Sequence, residues 1–156
     1  MPILKEKDKK KKAVYEFLKN SEYANLHQSV EWANVKSDKW KQEIVYIEEN
    51  DVIKAAMVLL VRKVGLYAMM YAPRGPVCDI NDIDLINELV NNCNCIAKKY
   101  KAFVLKMDPE IKYNKQLEKK YKKKYKVKNK VNDILELMAP IKSMVLPIEG
   151  KNVYQV

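Results

Sequence analysis

Leu66-Tyr67-Ala68-Met69-Met70-Tyr71-Ala72-Pro73-Arg74-Gly75-Pro76-Val77 runs an apolar strand straight into a turn that carries a guanidinium. Two of the chain's six prolines and one of its three glycines fall in the last seven residues of this stretch. Proline fixes φ near −65° and biases the residue before it toward extended geometry, while glycine can take φ > 0. The backbone around Arg74 is therefore expected to have few accessible shapes, and an arginine held this way suits a planar anion. The competing reading is an ordinary strand-to-helix turn with an exposed arginine.

Upstream, Glu43 to Glu49 and Val52 to Arg62 are rich in β-branched and apolar residues and are split by Asn50-Asp51, a hairpin signal. Gly65 then turns the chain into a third strand, Leu66 to Tyr71, so three antiparallel strands in succession are expected. Downstream, Ile83, Ile86, Leu89, Val90, Cys93, Ile96, Ala97 and Tyr100 recur at helical spacing, predicting one helix from Asp82 to Tyr100 capped by Asn81. Asp82 and Asp84 in its first turn and Lys98 and Lys99 in its last agree with the helix dipole. Ala102 to Met107 reads as a short buried strand stopped by Asp108-Pro109.

Toward the N-terminus, Asp8 is placed to cap a helix whose apolar face is Val14, Phe17 and Leu18. Ser29 is placed to cap a shorter one over Val30 to Lys36. Toward the C-terminus a lysine-rich helix is followed by two candidate edge strands, Val127 to Val131 and Met144 to Ile148, flanked or ended by Pro140 and Pro147. The expected fold is α/β, a mixed and mostly antiparallel sheet with helices on both faces. Residues 1–150 read as one unit and 151–156 as a tail.

Composition bounds the function. A chain of 156 residues fits one domain with an ordinary core. Its longest apolar run, Ala55 to Val61, is far short of the roughly 20 residues that span a bilayer. No secretory signal follows Met1, so the expected compartment is the cytoplasm. Cys93 and Cys95 point to different sides of a helix and the chain has one histidine, His27, so no metal set is expected and the three cysteines read as inert thiols. Glycines at 65, 75 and 150 form no G-x-G-x-x-G and no Walker loop, and no cofactor is expected. Nothing around His27 suggests an activated nucleophile.

The net charge of +10 permits an anionic partner. Much of it lies in two runs, Lys5 to Lys12 and Lys115 to Lys130. Tyr121 and Tyr125 interleave with the second run as in some single-strand binders, yet Leu117, Tyr121 and Tyr125 also form one helical stripe, the simpler sign of a docking face. Three polar residues stand out as candidates for a site: Arg74 and Asp108, each just past a strand end, and Lys36, between Trp32 and Trp40. For Asp108 a turn cap is the plainer role, and for Lys36 a surface position.

Gln28-Ser29-Val30-Glu31-Trp32-Ala33-Asn34-Val35-Lys36, then Tyr71-Ala72-Pro73-Arg74-Gly75-Pro76-Val77, then Lys106-Met107-Asp108-Pro109-Glu110-Ile111 resemble, in order and spacing, the Fem family. These aminoacyltransferases build peptidoglycan interpeptide bridges and include the methicillin-resistance factors. The resemblance covers about residues 13–150 and implies a GNAT-like acyltransferase domain, the first of the two that family members carry, so the chain reads as half of such a transferase. It implies that a full-length relative transfers an amino acid from aminoacyl-tRNA to the stem peptide of a UDP-linked or lipid-linked muropeptide precursor, with possible membrane-surface association. Carried over by residue, Lys36 contacts the precursor's phosphates, Tyr71 and Arg74 shape the precursor groove, and Asp108 orients the attacking amine or accepts its proton. The fragment is then expected to bind precursor with little or no turnover. The alternative is a basic RNA-binding or tRNA-binding module that uses the Lys115 to Lys130 region.

Overall fold

Asn50 and Asp51 both adopt left-handed φ, 52° and 63°, the conformation that lets a two-residue turn follow the twist of its flanking strands. They join β1 (Lys41–Glu49) to β2 (Val52–Val64), and the pairing runs antiparallel from Glu49 opposite Val52 to Lys41 opposite Val61. Gly65, at φ 64°, turns β2 into β3 (Tyr67–Ala72), again antiparallel. The computed structural model describes residues 3–109, 115–123, 125–129 and 135–140.

After β3 the chain crosses over through α3 (Ile83–Asn92) and α4 (Asn94–Tyr100) to β4 (Ala102–Met107), which lies parallel to β3. The single helix read from the sequence is thus two. Cys93 separates them, its N–H reaching back to Val90 O at 3.0 Å in a tighter turn, within Asn91-Asn92-Cys93-Asn94, where asparagines favour caps over helix interiors. The cap also moves by one residue. Asp82 Oδ1 accepts from Leu85 N–H at 3.1 Å, whereas Asn81 donates its own N–H and Nδ2 to Asp79.

Two helices precede the sheet, α1 (Lys11–Asn20) and α2 (Val30–Val35). Ser29 caps α2 as expected, accepting from Trp32 N–H. Asp8 does not cap α1: its carboxylate closes a local turn on Lys10 N–H and the helix starts later, from Lys10. After β4 come α5 (Lys115–Lys122), β5 (Lys126–Asn129) and β6 (Leu135–Pro140), giving a six-stranded sheet of order β1-β2-β3-β4-β6-β5. The expected strand at Val127 to Val131 is β5, on the sheet edge. β6 was not anticipated, since Leu135-Glu136-Leu137-Met138 has helical propensity, but the free edge of β4 recruits it antiparallel and tertiary pairing overrides the local preference. The strand expected at Met144 to Ile148 lies outside the described residues.

Strand alternation sends side chains to two cores. On one face Val45, Met57, Leu59 and Met70 pack with Ile86, Leu89 and Ile96 of the crossover and with Leu117 and Tyr121 of α5. On the other, Ile44, Tyr46, Val58 and Leu60 pack with Val14 and Leu18 of α1 and Ala33 of α2. The helices on both faces and the mixed, mostly antiparallel sheet agree with the sequence expectation.

The ladder between β2 and the following segment has a gap at Val58. β3 pairs with β2 up to Tyr71 opposite Leu60, then leaves, and the chain returns only at Val77, which exchanges two hydrogen bonds with Ala56. Gln28, fully buried in the 3-10 turn Leu26–Gln28, fills the gap. Its Oε1 accepts from Val58 N–H at 2.8 Å, and its Nε2 donates to Val58 O at 3.1 Å and to Pro73 O at 2.9 Å. A side-chain amide thus does the work of the missing strand. A Cβ on Gly75 would lie 2.7 Å from Gln28 Cδ, so glycine is required there for space, while the positive φ in this turn belongs to Arg74.

Replacing Gln28 by Leu keeps the volume and orphans the buried Val58 N–H and two carbonyls, at ~1–3 kcal/mol each. We expect a lower urea midpoint with an unchanged m-value, corresponding to a loss of roughly 3–9 kcal/mol. Gly75→Ala should destabilise strongly when Gln28 is present and much less in a Gln28→Gly background, a coupling that a double-mutant cycle reads directly.

Candidate functional site

Parallel pairing places the C-terminal ends of β3 and β4 side by side, with Ala72 opposite Met107. The next residues therefore meet. Asp108, 2% exposed, accepts from Tyr71 Oη–H at 2.8 Å through Oδ2 and from Arg74 N–H at 2.7 Å through Oδ1. Arg74 takes φ 55°, a left-handed conformation unfavourable for a residue with a side chain, and the charge-assisted bond to Asp108 helps to hold it there. Three of the four residues singled out in the sequence, Tyr71, Arg74 and Asp108, are thus one connected unit.

The Arg74 side chain lines a cleft of about 370 Å³ with Glu22, Tyr23, Asn25, Cys78 and Asn81. Its Nη1 is buried and has no hydrogen-bond partner among the described residues. The cleft is therefore lined by a guanidinium group whose positive charge suits a carboxylate or phosphate, while Nη1 itself is shielded from solvent. Cys78 lines the same cleft but is no nucleophile, because burial, reinforced by Asp79 and Asp82, pushes its thiol up to about 12. Burial also drives Cys93 well above the ordinary thiol range. Among the described residues no cluster of His, Cys, Asp and Glu could hold a metal ion.

Lys36, the fourth candidate, sits apart from Asp108 at the C-terminal end of α2. It is half-buried, with Nζ 5.0 Å from the centre of the Trp32 ring. It connects to the unit through Trp40, whose N–H donates to Lys36 O at 2.9 Å and whose ring lies 6.4 Å from that of Tyr71. Arg62 stacks over Trp40 at 5.6 Å and Lys106 over Tyr71 at 5.2 Å, so cations and aromatic rings alternate across this part of the sheet. Sequence reasoning missed Gln28, Trp40, Arg62 and Lys106 as parts of the site. Register supplies Arg62 and Lys106, since Tyr71 is opposite Leu60 on β2 and Lys106 on β4, whereas Gln28 arrives from the 3-10 turn and Trp40 from the residue before β1. By contrast, Leu117, Tyr121 and Tyr125 form the docking stripe of the lysine-rich segment: all three are buried, and Tyr121 donates to Ile80 O at 2.7 Å, leaving neither tyrosine available to stack on a base.

The sequence model of the FemAB family matches residues 10–140, which contain the whole of this unit. The chain belongs to the FemAB family. It is 35% identical over 117 residues to a UDP-N-acetylmuramoylpentapeptide-lysine N(6)-alanyltransferase of Weissella viridescens, covering 73% of this chain and 34% of the relative. It is 30% identical over 105 residues to a lipid II:glycine glycyltransferase of Staphylococcus epidermidis, covering 65% and 25% respectively. The chain thus spans about a third or less of the length of these relatives. The crystal structure of FemX superposes with a TM-score of 0.69 over 83% of this chain and 33% of that one, at 23% identity. A putative GNAT-family acetyltransferase from Desulfovibrio desulfuricans superposes with a TM-score of 0.51 at 8% identity, covering 84% and 90%. These superpositions establish a GNAT-like fold for this FemAB chain. No helix among its described residues is long and apolar enough to cross a membrane.

Tyr71→Phe removes one hydrogen bond to a buried carboxylate, and such bonds contribute ~1.5–3 kcal/mol. We expect that loss in urea denaturation, and a larger one for Asp108→Ala, which also releases the Arg74 backbone. Iodoacetamide at about pH 8.5, the ordinary thiol pKa, should leave Cys78 and Cys93 unmodified in the folded chain and modify all three cysteines in denaturant, as read by mass spectrometry.

Proposed function

We infer that this chain is the precursor-holding part of a FemAB-family aminoacyltransferase of peptidoglycan bridge synthesis. The observation that carries the reading is the Tyr71–Asp108–Arg74 unit beside an open cleft, within the stretch that the family model matches. The acceptor is a muropeptide precursor, nucleotide-linked or lipid-linked, as the names of the two relatives suggest. The donor is aminoacyl-tRNA, which makes the cytoplasm the site of reaction. An amine of the stem peptide attacks the ester carbonyl of the donor. An amide C–N bond forms, the ester C–O bond breaks, and the amine proton ends on the released ribose oxygen.

The residues present supply binding and orientation. In this reading Lys36, a mobile point charge at the end of α2, meets the phosphates of the precursor, and the Arg74 guanidinium gives the cleft wall a positive charge for an anionic group. Asp108 acts as a positioning residue: with both carboxylate oxygens engaged and almost no exposure, it fixes Tyr71 and the turn. Holding the amine in line with an already reactive ester provides acceleration without a strong base. Residues 1–150 form one GNAT-like domain in this reading, and turnover requires the further length that the relatives possess.

Calorimetry with UDP-MurNAc-pentapeptide tests this directly. The chain should bind without transferring an amino acid, and Lys36→Ala should weaken binding about tenfold or more, the equivalent of one charge-assisted hydrogen bond. Arg74→Gly suits the left-handed backbone, so it should keep the urea midpoint and still weaken binding. Absence of any binding heat with the unaltered chain sinks the reading.

A further inference from the structure

The turn between β2 and β3 carries aliphatic side chains where a soluble hairpin normally places polar ones. Leu66 is 85% exposed and Val64 49% exposed, on either side of Gly65. Leu66 exceeds every other exposed large hydrophobic residue among those described; the remainder, Tyr23, Leu26, Val35 and Val52, lie elsewhere in the fold. No element of the described structure packs on this tip.

Basic residues surround it. Arg62 and Lys63 precede Val64 on β2, and the first residue of β1, Lys41, pairs with Val61. Lys101 abuts the start of β3, its carbonyl accepting from Ala68 N–H at 3.0 Å, and Lys98 accepts in turn from Lys101 N–H. Lys41, Lys63, Lys98 and Lys101 are exposed and form no ion pair among the described residues, while Glu43 is already taken by Lys99 at 2.7 Å. This end of the sheet is therefore a pair of bare aliphatic side chains inside a ring of uncompensated cations.

We propose that the β2–β3 hairpin tip docks the protein on an anionic lipid surface, with Val64 and Leu66 entering the acyl boundary and the surrounding lysines meeting the headgroup phosphates. Two features favour lipid over other partners. Protein interfaces are depleted of lysine, and a narrow aliphatic tip offers little area to a protein partner. Nucleic acid would use the cations but gains nothing from aliphatic side chains, since single strands stack on aromatic rings. A bilayer satisfies both halves at once: basic residues near an anionic leaflet are each attracted, and apolar side chains partition below the headgroups.

The placement has a consequence for the reaction. Tyr67 to Ala72 is five strand steps, or about 17 Å at ~3.3 Å per residue, so the tip and the Arg74 turn sit at opposite ends of β3. A docked tip would hold the cleft at roughly that height above the lipid, within reach of a headgroup that ends in an extended peptide. This last step rests on the function proposed above; the docking itself does not.

Vesicle co-sedimentation separates the two. In about 0.1 M salt, where the Debye length is about 10 Å, the chain should sediment with vesicles of mixed phosphatidylcholine and phosphatidylglycerol and not with phosphatidylcholine alone. The double variant V64S/L66S should lower the partition coefficient about tenfold, and K63E/K101E should abolish the preference for anionic vesicles; L26S, at another exposed leucine, should change neither. Because all these positions are exposed, an unchanged urea midpoint is expected for each variant. Failure to bind anionic vesicles overturns the proposal, as does binding that V64S/L66S leaves intact. Retention on tRNA that K63E/K101E removes, without vesicle binding, also overturns it in favour of nucleic acid. Vesicle binding together with no calorimetric response to UDP-MurNAc-pentapeptide would uphold the docking and reject the function.

Discussion

A single side-chain amide lets the sheet open where the site is built. An antiparallel ladder that continued past Leu60 and Tyr71 would bury the turn and leave no cleft. The departure of β3 leaves the N–H and C=O of the fully buried Val58 without a strand partner, a loss that would ordinarily forbid the departure. Gln28 answers both groups and adds a third bond to Pro73 O, so the sheet stays satisfied while the chain swings away. Gly75 belongs to the same constraint, because the amide occupies the space that any Cβ would need.

Asp108 fixes the far side of the turn in the same manner. Its carboxylate ties the backbone of Arg74 and the hydroxyl of Tyr71 to the end of β4, and the parallel register of β3 and β4 makes that possible. Gln28 holds the turn from the helical layer and Asp108 from the neighbouring strand, so Arg74 is presented by a backbone clamped at two points.

Much of the fold was legible because local signals agreed with tertiary demands. Asn50-Asp51, Gly65, the Ser29 cap and the stripe of Leu117, Tyr121 and Tyr125 all appear in the structure in the roles read for them. The departures have local causes. Asn and Cys around position 93 weaken the helix enough to divide it, and a cap can move by one residue, as from Asn81 to Asp82, when an Asx turn claims the earlier side chain. β6 could not be read because its leucines, methionine and glutamate favour helix and only the vacancy beside β4 turns them into a strand.

The sequence by itself determined the family, the strand-turn-helix order around residues 66–100 and the identity of Tyr71, Arg74, Asp108 and Lys36 as residues of interest, since these depend on motifs and periodicities within short windows. Tertiary structure decided what those residues do to one another. Tyr71 and Asp108 are 37 positions apart, and Gln28 and Val58 are 30, so only the parallel crossover and the packing of α2 on the sheet bring them within hydrogen-bond distance. Register also assembled the surface: Trp40, Arg62 and Lys106 come from three different segments and gather around Tyr71 only because β1, β2, β3 and β4 run side by side.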